Sequence, residues 1–451
     1  MKPIILLSTL LAGLTALSAQ AIDIQRWTTP QSTQILLVER HELPIVDYAV
    51  IFKGAGSAAE PVGKSDIASP LASMMLRGTA KLNEEQFAER SNDLAARMSG
   101  SSSFEYSLFN FRSLSQTDSL NATAQLFGQA LSQPRFESAV LKRLQNQAIL
   151  SLKQAQGYPN YITSREQTRL NYGSHPYGKG AYRSEDSIRA VQLADLRQFH
   201  RQHYAQSNAI VLLVGDINRN QANALVRQTL SGLPKQPAHR TATPPVSVKG
   251  GRTRHLPFDN SEQASISIGL PVFTYNDPDY FALLVGNYVL GGGGFDSRLM
   301  KVLRDQHGYT YGASSSLTTY EQAGPFNISF TTQRKNSQAA LAAAQKVLAD
   351  FVEQGPTEAE LKQAQDNITG GFVLNFDSNR KLLNVLIGIG LYQRPSDWLD
   401  TYTSKVKALT TDDIRRAWQK RIVPTQMNVV VTGGQGESES TSAKYSEVKL
   451  Q

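Results

Sequence analysis

The first place to look for chemistry in this 451-residue chain is its seven histidines, and none is spaced to do it. His200 and His203 form an HxxH pair, which on a helix brings two imidazoles toward one face as a metal site requires. No third ligand accompanies them. His41 is followed by Glu42, but Ile45 stands where a second histidine would complete HExxH. His175, before Pro176, belongs to a loop. Neither HExxH nor HxxEH occurs anywhere in the chain. A different pair draws notice in the second half, where Arg304 and Tyr311 lie seven residues apart. On residue type alone, such an arginine is a surface ion-pair partner and such a tyrosine a core residue. Just before them runs Gly291-Gly292-Gly293-Gly294-Phe295. Backbone without Cβ atoms can approach a bound chain closely. The run matches neither the Walker pattern nor GxGxxG, so it is no phosphate loop.

The elements that must position these residues follow from periodicity. Ile35 to Phe52 reads as two strands around the turn-like His41-Glu42-Leu43-Pro44. Asn83 with Gln86, and Leu82 with Phe87, form a capping-box and staple signature that predicts a helix to about Met98. Phe104 to Phe111 reads as a strand. Helical spacing returns over Asn121 to Leu131 and over Phe136 to Ala155, where Val140, Leu141, Leu144, Ala148 and Leu152 share a face. Val211 to Val214 is a buried strand ended by Gly215-Asp216. In the second half, Asp296 or Ser297 caps an expected helix whose Leu299, Val302 and Leu303 face inward, with Arg304 near its end and Gly308 terminating it.

An internal repeat orders the whole. Val191 to Gly215 lies without a gap on Leu409 to Gly433, a constant offset of 218 residues. Asp195-Leu196 meets Asp413-Ile414, and Gly215 meets Gly433. That spacing is the size of a domain, so the expected fold is α+β: two homologous domains, each an antiparallel-rich sheet packed with helices. Pro234, Pro237, Pro244 and Pro245, with Gly250-Gly251, mark an extended linker. The expected division is a leader at 1–21, a first domain at 22–233, the linker at 234–251, a second domain at 252–433 and a polar tail at 434–451.

Composition bounds the setting. Lys2, the apolar run from Ile4 to Leu17 and Ala19-Gln20-Ala21 read as an export signal cleaved near Ala21. The expected location is the periplasm, with no membrane anchor. Without cysteines the exported chain has no disulfides, and core burial must hold it together. The net charge of +8 is scattered among acidic residues, which gives nucleic acid no basic cluster to bind.

Here the residues carry a resemblance. His175-Pro176-Tyr177-Gly178, then Leu196 to Tyr204, then Asn208 to Asp216 resemble the first-domain signature of the pitrilysin family, which includes insulinase and mitochondrial processing peptidase. Gly291 to Leu299, Leu303-Arg304 and Gly308-Tyr309-Thr310-Tyr311 are similar to that family's second-domain motif. The resemblance spans nearly all of the expected mature chain.

The resemblance implies a zinc site on HxxEH in the first domain, where two histidines hold the metal and the glutamate activates water. Here Ser69 and Ser73 occupy the histidine positions and Ala72 that of the general base. A third ligand would fall near Gln147. A neutral hydroxyl is a poor zinc ligand and alanine moves no proton, so this chain is expected to bind no metal and to be inert alone. No base lies near Ser69 or Ser73 in sequence to make either a nucleophile. The family's Arg and Tyr reach toward the scissile peptide, which assigns Arg304 and Tyr311 a catalytic role in trans, and its glycine-rich loop assigns peptide contact to Gly291, Gly292, Gly293, Gly294 and Phe295. The Phe104 to Phe111 strand corresponds to one that pairs with extended substrate. The implied function is the accessory subunit of a heterodimeric zinc peptidase acting on peptide or unfolded polypeptide, with zinc in an HxxEH-bearing partner. The alternatives are a peptide-binding or assembly protein without hydrolysis, and a peptidase using an unrecognised site.

Overall fold

The computed structural model describes residues 22–237, 242–259 and 261–434. The expected leader and all of the polar tail beyond residue 434 lie outside these residues. Two mixed sheets form the frame. The first has the order β1 (Gln25–Thr28), β2 (Gln34–Glu39), β6 (Ala209–Gly215), β3 (Ile45–Lys53), β5 (Tyr106–Leu114), β4 (Arg97–Ser102). The second has the order β7 (Thr253–Leu256), β11 (Asn428–Thr432), β8 (Gln263–Phe273), β10 (Gly324–Gln333), β9 (Ala313–Leu317). Among these strands β2 with β6 and β7 with β11 pair in parallel, and the others antiparallel. The strands flanking His41 to Pro44 do form, but β6 is inserted between them.

The repeat extends through both sheets, which match strand for strand when β1 is set aside. The Leu193–His203 helix lies on the Thr411–Arg421 helix at the same offset of 218. Asn83 and Gln86 make the expected capping box, with hydrogen bonds of 3.0 and 2.8 Å. That helix ends at Asp93, short of Met98, because Ala95 takes a positive φ of 49° and the chain enters β4. The expected strand at Phe104 starts at Tyr106 and is paired on both sides, by β3 and β4, so it has no free edge for a substrate strand. The edges of the first sheet are β1 and β4.

Alternation along the central strands explains how the halves join. In the first sheet, Ile35, Leu37, Tyr48, Val50, Val211 and Leu213 face a core with the Ala68–Met75, Thr117–Ser132 and Leu193–His203 helices. Their neighbours Leu36, Val38, Ala49, Ile51, Ile210, Leu212 and Val214 point the other way and are equally buried. What covers them is the Asn379–Leu391 helix from the other half, through Leu382, Leu383, Leu386 and Ile389. The reverse also holds. The Pro159–Tyr172 helix of the first half lies on β8 and β11 of the second sheet. This contact is polar: Thr163 Oγ1 meets Thr432 Oγ1 at 2.8 Å, Gln167 Nε2 donates to the Gly269 carbonyl at 3.0 Å, and Asn428 Nδ2 donates to Asn171 Oδ1 at 3.1 Å. The two helices occupy equivalent places in the repeat, so the halves exchange the same element.

Residues 242–252 connect the halves without regular secondary structure. They are held by His175, whose ring Nε2 lies 2.8 Å from the Pro244 carbonyl, and by Gln322 Nε2, which donates to the Thr243 carbonyl at 3.2 Å.

Candidate functional site

The Ala68–Met75 helix carries the substituted positions, and its start is bolted down from inside. Glu60, 5% exposed, accepts the backbone N–H groups of Asp66, Ile67 and Ala68 at 3.2, 2.9 and 2.8 Å. Lys179 Nζ donates to the carbonyls of Ala58, at 2.8 Å, and of Glu60. Burial pushes the Glu60 carboxyl up to about 7, against the pull of the three N–H donors.

Along this helix Ser69 is exposed, Ala72 is fully buried and Ser73 is half-buried. The Ala72 carbonyl presses on β4 so closely that a Cβ at Gly100 would lie 2.5 Å from it. Ser73 Oγ accepts from Arg77 Nε at 3.2 Å. Arg77 Nη1 donates to Glu84 Oε1 at 2.6 Å, and Arg143 Nη2 reaches both oxygens of Glu84, at 2.6 and 2.8 Å. The two guanidinium groups, Arg143 foremost, hold the Glu84 carboxyl below the usual carboxylate range. Gln147 is exposed, one turn beyond Arg143 on the Ser138–Ala155 helix.

These residues do not fit a zinc ion. One hydroxyl is already the acceptor of a cationic donor, whose charge would oppose a metal. The other faces solvent, and Ala72 offers no ligand atom. Among the described residues no three His, Cys, Asp or Glu side chains cluster as a metal would require. His200 instead places Nε2 2.7 Å from the Leu131 carbonyl, and burial lowers its pKa. His203 packs on the Phe199 ring, and His41 Nδ1 lies 2.7 Å from Asp216.

The second-half pair is brought together. Arg304 and Tyr311 line one cavity of about 790 Å³, with Gln263, Thr310 and Thr332 among its walls. Arg304 lies on a π-helical turn, Lys301–Gln306, a winding that recurs at functional sites. Its guanidinium stands 4.7 Å from the ring centroid of Phe295, which is itself 71% exposed. Tyr311 is 92% exposed, so no core claims it. Gly308, at φ 62°, ends the turn by donating to the Arg304 carbonyl at 3.0 Å. Ser297 does not cap through its side chain; its hydroxyl donates to the Gly294 carbonyl at 2.7 Å.

Three of the four glycines answer to packing within this half. A Cβ on Gly291 would lie 2.5 Å from the Ser315 amide, on Gly292 2.7 Å from Asn287 Nδ2, and on Gly293 2.7 Å from the Tyr288 ring and carbonyl. Gly294 alone meets open space, at φ 68°. Two positioning groups escaped the sequence reading. Thr310 Oγ1 donates to the Gly312 carbonyl at 2.9 Å, and Thr332 Oγ1 to the Tyr309 carbonyl at 2.7 Å, bracketing Tyr311. Thr310 stands beside Tyr311 in the motif and was open to notice; Thr332 comes from another strand.

A duplicated α+β fold, with an Arg/Tyr pocket in one half and a helix carrying Ser69, Ala72 and Ser73 in the other, is the build of a peptidase-like chain that lacks the zinc motif. Residues 35–179 match the model of insulinase, peptidase family M16, and residues 190–368 match that of the peptidase M16 inactive domain. A crystal structure of a peptidase M16 inactive domain from Pseudomonas fluorescens is 30% identical, with a TM-score of 0.87 over 92% of this chain and 98% of that one. The chain belongs to the M16 peptidase family. The non-peptidase homolog YmxG of Helicobacter pylori is 23% identical over 415 residues, 91% of this chain and 93% of its own. The periplasmic protease PqqL of Escherichia coli shares the fold at 18% identity and a TM-score of 0.78, over 92% of this chain and 46% of that chain.

Proposed function

We propose that this chain is the non-metal subunit of a periplasmic heterodimeric zinc peptidase, and that it presents Arg304 and Tyr311 to a peptide held by an HxxEH-bearing partner. The observation that carries the reading is a contrast within one molecule. The helix at the zinc-motif position carries no ligand, while Arg304, half-buried over Phe295, and the exposed Tyr311 line one cavity together. A guanidinium and a phenol at such a place donate hydrogen bonds to a substrate carbonyl and to the oxyanion that develops from it. That the chain covers 46% of a fold neighbour supports a complete chamber made from two such units. The metal belongs to the partner, and Ser69, Ala72, Ser73 and Gln147 take no part in the chemistry.

The experiment reconstitutes the mature chain with an HxxEH homologue encoded in the same genome and follows peptide hydrolysis. Arg304→Ala is expected to cut turnover about 10²-fold, the scale of a lost oxyanion donor, with association unchanged. Tyr311→Phe, at a residue too exposed to carry the fold, is expected to cut it with KM nearly constant. Unchanged turnover in both removes the pair from the mechanism. A second reading, peptide capture without hydrolysis, draws on the name non-peptidase homolog borne by the Helicobacter pylori relative. It gains if no homologue co-purifies and the chain alone binds peptide.

A further inference from the structure

A second cavity, of about 740 Å³, opens in the second half and shares no residue with the Arg304 pocket. Its walls include the rings of Tyr275, Tyr280, Phe281 and Trp398, and four cations, Arg394, Lys405, Arg416 and Lys420, line it. Arg394 is 8% exposed. Its guanidinium lies 3.7 Å from the ring centroid of Trp398, 4.5 Å from that of Tyr280 and 5.8 Å from that of Tyr392. Among the described residues no acceptor bonds that guanidinium, although its backbone is tied on both sides. The Arg394 amide donates to the Ile389 carbonyl at 3.0 Å, and its carbonyl accepts from Arg26 Nη2 at 2.8 Å. Gln393, just before it, holds a positive φ of 51°.

The largely buried Arg394 side chain opens its guanidinium only to the cavity, and aromatic faces meet only part of what its five N–H groups can bond, which leaves donors for a ligand there. The acids around the cavity are already spoken for. Asp279 takes Lys420 and Arg421 at 3.0 Å each, Asp277 takes Arg421 at 2.9 Å, and Asp413 takes Arg416 at 2.7 Å. Lys405 meets only rings among the described residues, 5.8 Å from the Phe281 centroid and 5.6 Å from that of Trp398. The cavity therefore combines an apolar wall with two uncompensated positive charges.

We propose that this cavity is a peptide-carboxylate site, in which the Arg394 guanidinium pairs with a ligand carboxylate, Lys405 adds to the attraction, and the rings take the apolar side chain next to it. The shared chemistry, a carboxylate beside an apolar group, is found at a free peptide C-terminus and at an Asp or Glu side chain within a peptide. The site does not depend on the peptidase-subunit reading, because no residue of the Arg304 pocket takes part.

The test is titration calorimetry on the mature full-length chain. N-acetyl-phenylalanine is expected to bind at least about tenfold more tightly than N-acetyl-phenylalaninamide, which lacks only the charge. A Phe-terminated peptide with a free C-terminus and no acidic residue, set against its amidated counterpart carrying an internal Glu, separates the two sources of carboxylate; whichever binds identifies the source. Arg394→Met is expected to abolish binding. Lys405→Gln, on an exposed side chain, is expected to weaken binding about threefold or more with an unchanged melting temperature, so the proposal stays testable if the Arg394 variant fails to fold. Equal affinity for acid and amide, no binding of either, or full affinity in Lys405→Gln overturns it.

Discussion

Glu60 shows how far a single side chain can act from its place in the sequence. It closes the N-terminus of a helix that begins at Ala68, and no periodicity or cap signature points to it. Its carboxyl moves from 4.5 to about 7. The folded state therefore keeps a proton that the unfolded chain gives up earlier. The stability linked to that proton is fully present below pH 4.5 and is lost as pH rises to about 7, by roughly 3 kcal/mol at most. Glu60→Gln is expected to flatten this slope, read from urea midpoints across that range; parallel curves for variant and parent would place the titration elsewhere. The same residue scale shows what was legible in the sequence. Ser69, Ala72 and Ser73 stand at motif positions and announce a lost site by type alone. The hold of Arg143 on Glu84 did not show, because the two residues lie 59 apart in sequence; the Arg77 contacts to Ser73 and Glu84 are local, but neither follows from a cap or from apolar spacing.

At the scale of elements, the two exchanged helices differ in chemistry. The Asn379–Leu391 helix brings leucines to the first sheet, and its burial follows ordinary helical periodicity. The Pro159–Tyr172 helix buries Thr163, Gln167 and Asn171, four residues apart, as a polar stripe against a sheet. A search for apolar spacing passes over such a helix, and the sequence reading did. Strand β4, Arg-Met-Ser-Gly-Ser-Ser, was likewise missed, its first two residues taken into the preceding helix and the rest left unassigned, because its side chains carry no apolar alternation. Leu386 is fully exchanged into the other half's core, with no exposed surface. Leu386→Ala is expected to cost about 2–5 kcal/mol in urea unfolding, the range for a buried leucine. Hydrogen exchange should locate the loss in β2 and β6, in the opposite half of the chain. Loss confined to the helix itself would show that the sheet does not lean on it.

At the scale of the whole molecule, the repeat was legible from one pair of segments and proves to order both sheets. The exchange was not legible, since an offset between sequences says nothing about which sheet a helix covers. It makes a firm expectation. A fragment of residues 22–233 lacks the cover for Leu36, Val38, Ala49, Ile51 and Ile210, and should bind a hydrophobic dye and melt without a sharp transition. Adding the second half in trans should restore a single transition. A fragment that melts cooperatively alone would mean that the second helix is dispensable.

The mutual loan of one helix has the form of a swapped dimer whose two protomers are tied end to end. In such a dimer each partner waits for a collision, so its folding slows on dilution. Here the connecting chain through residues 242–252 keeps the second copy at an effective concentration on the order of millimolar. What would be a second-order assembly becomes a first-order step, completed inside each molecule however few of them there are.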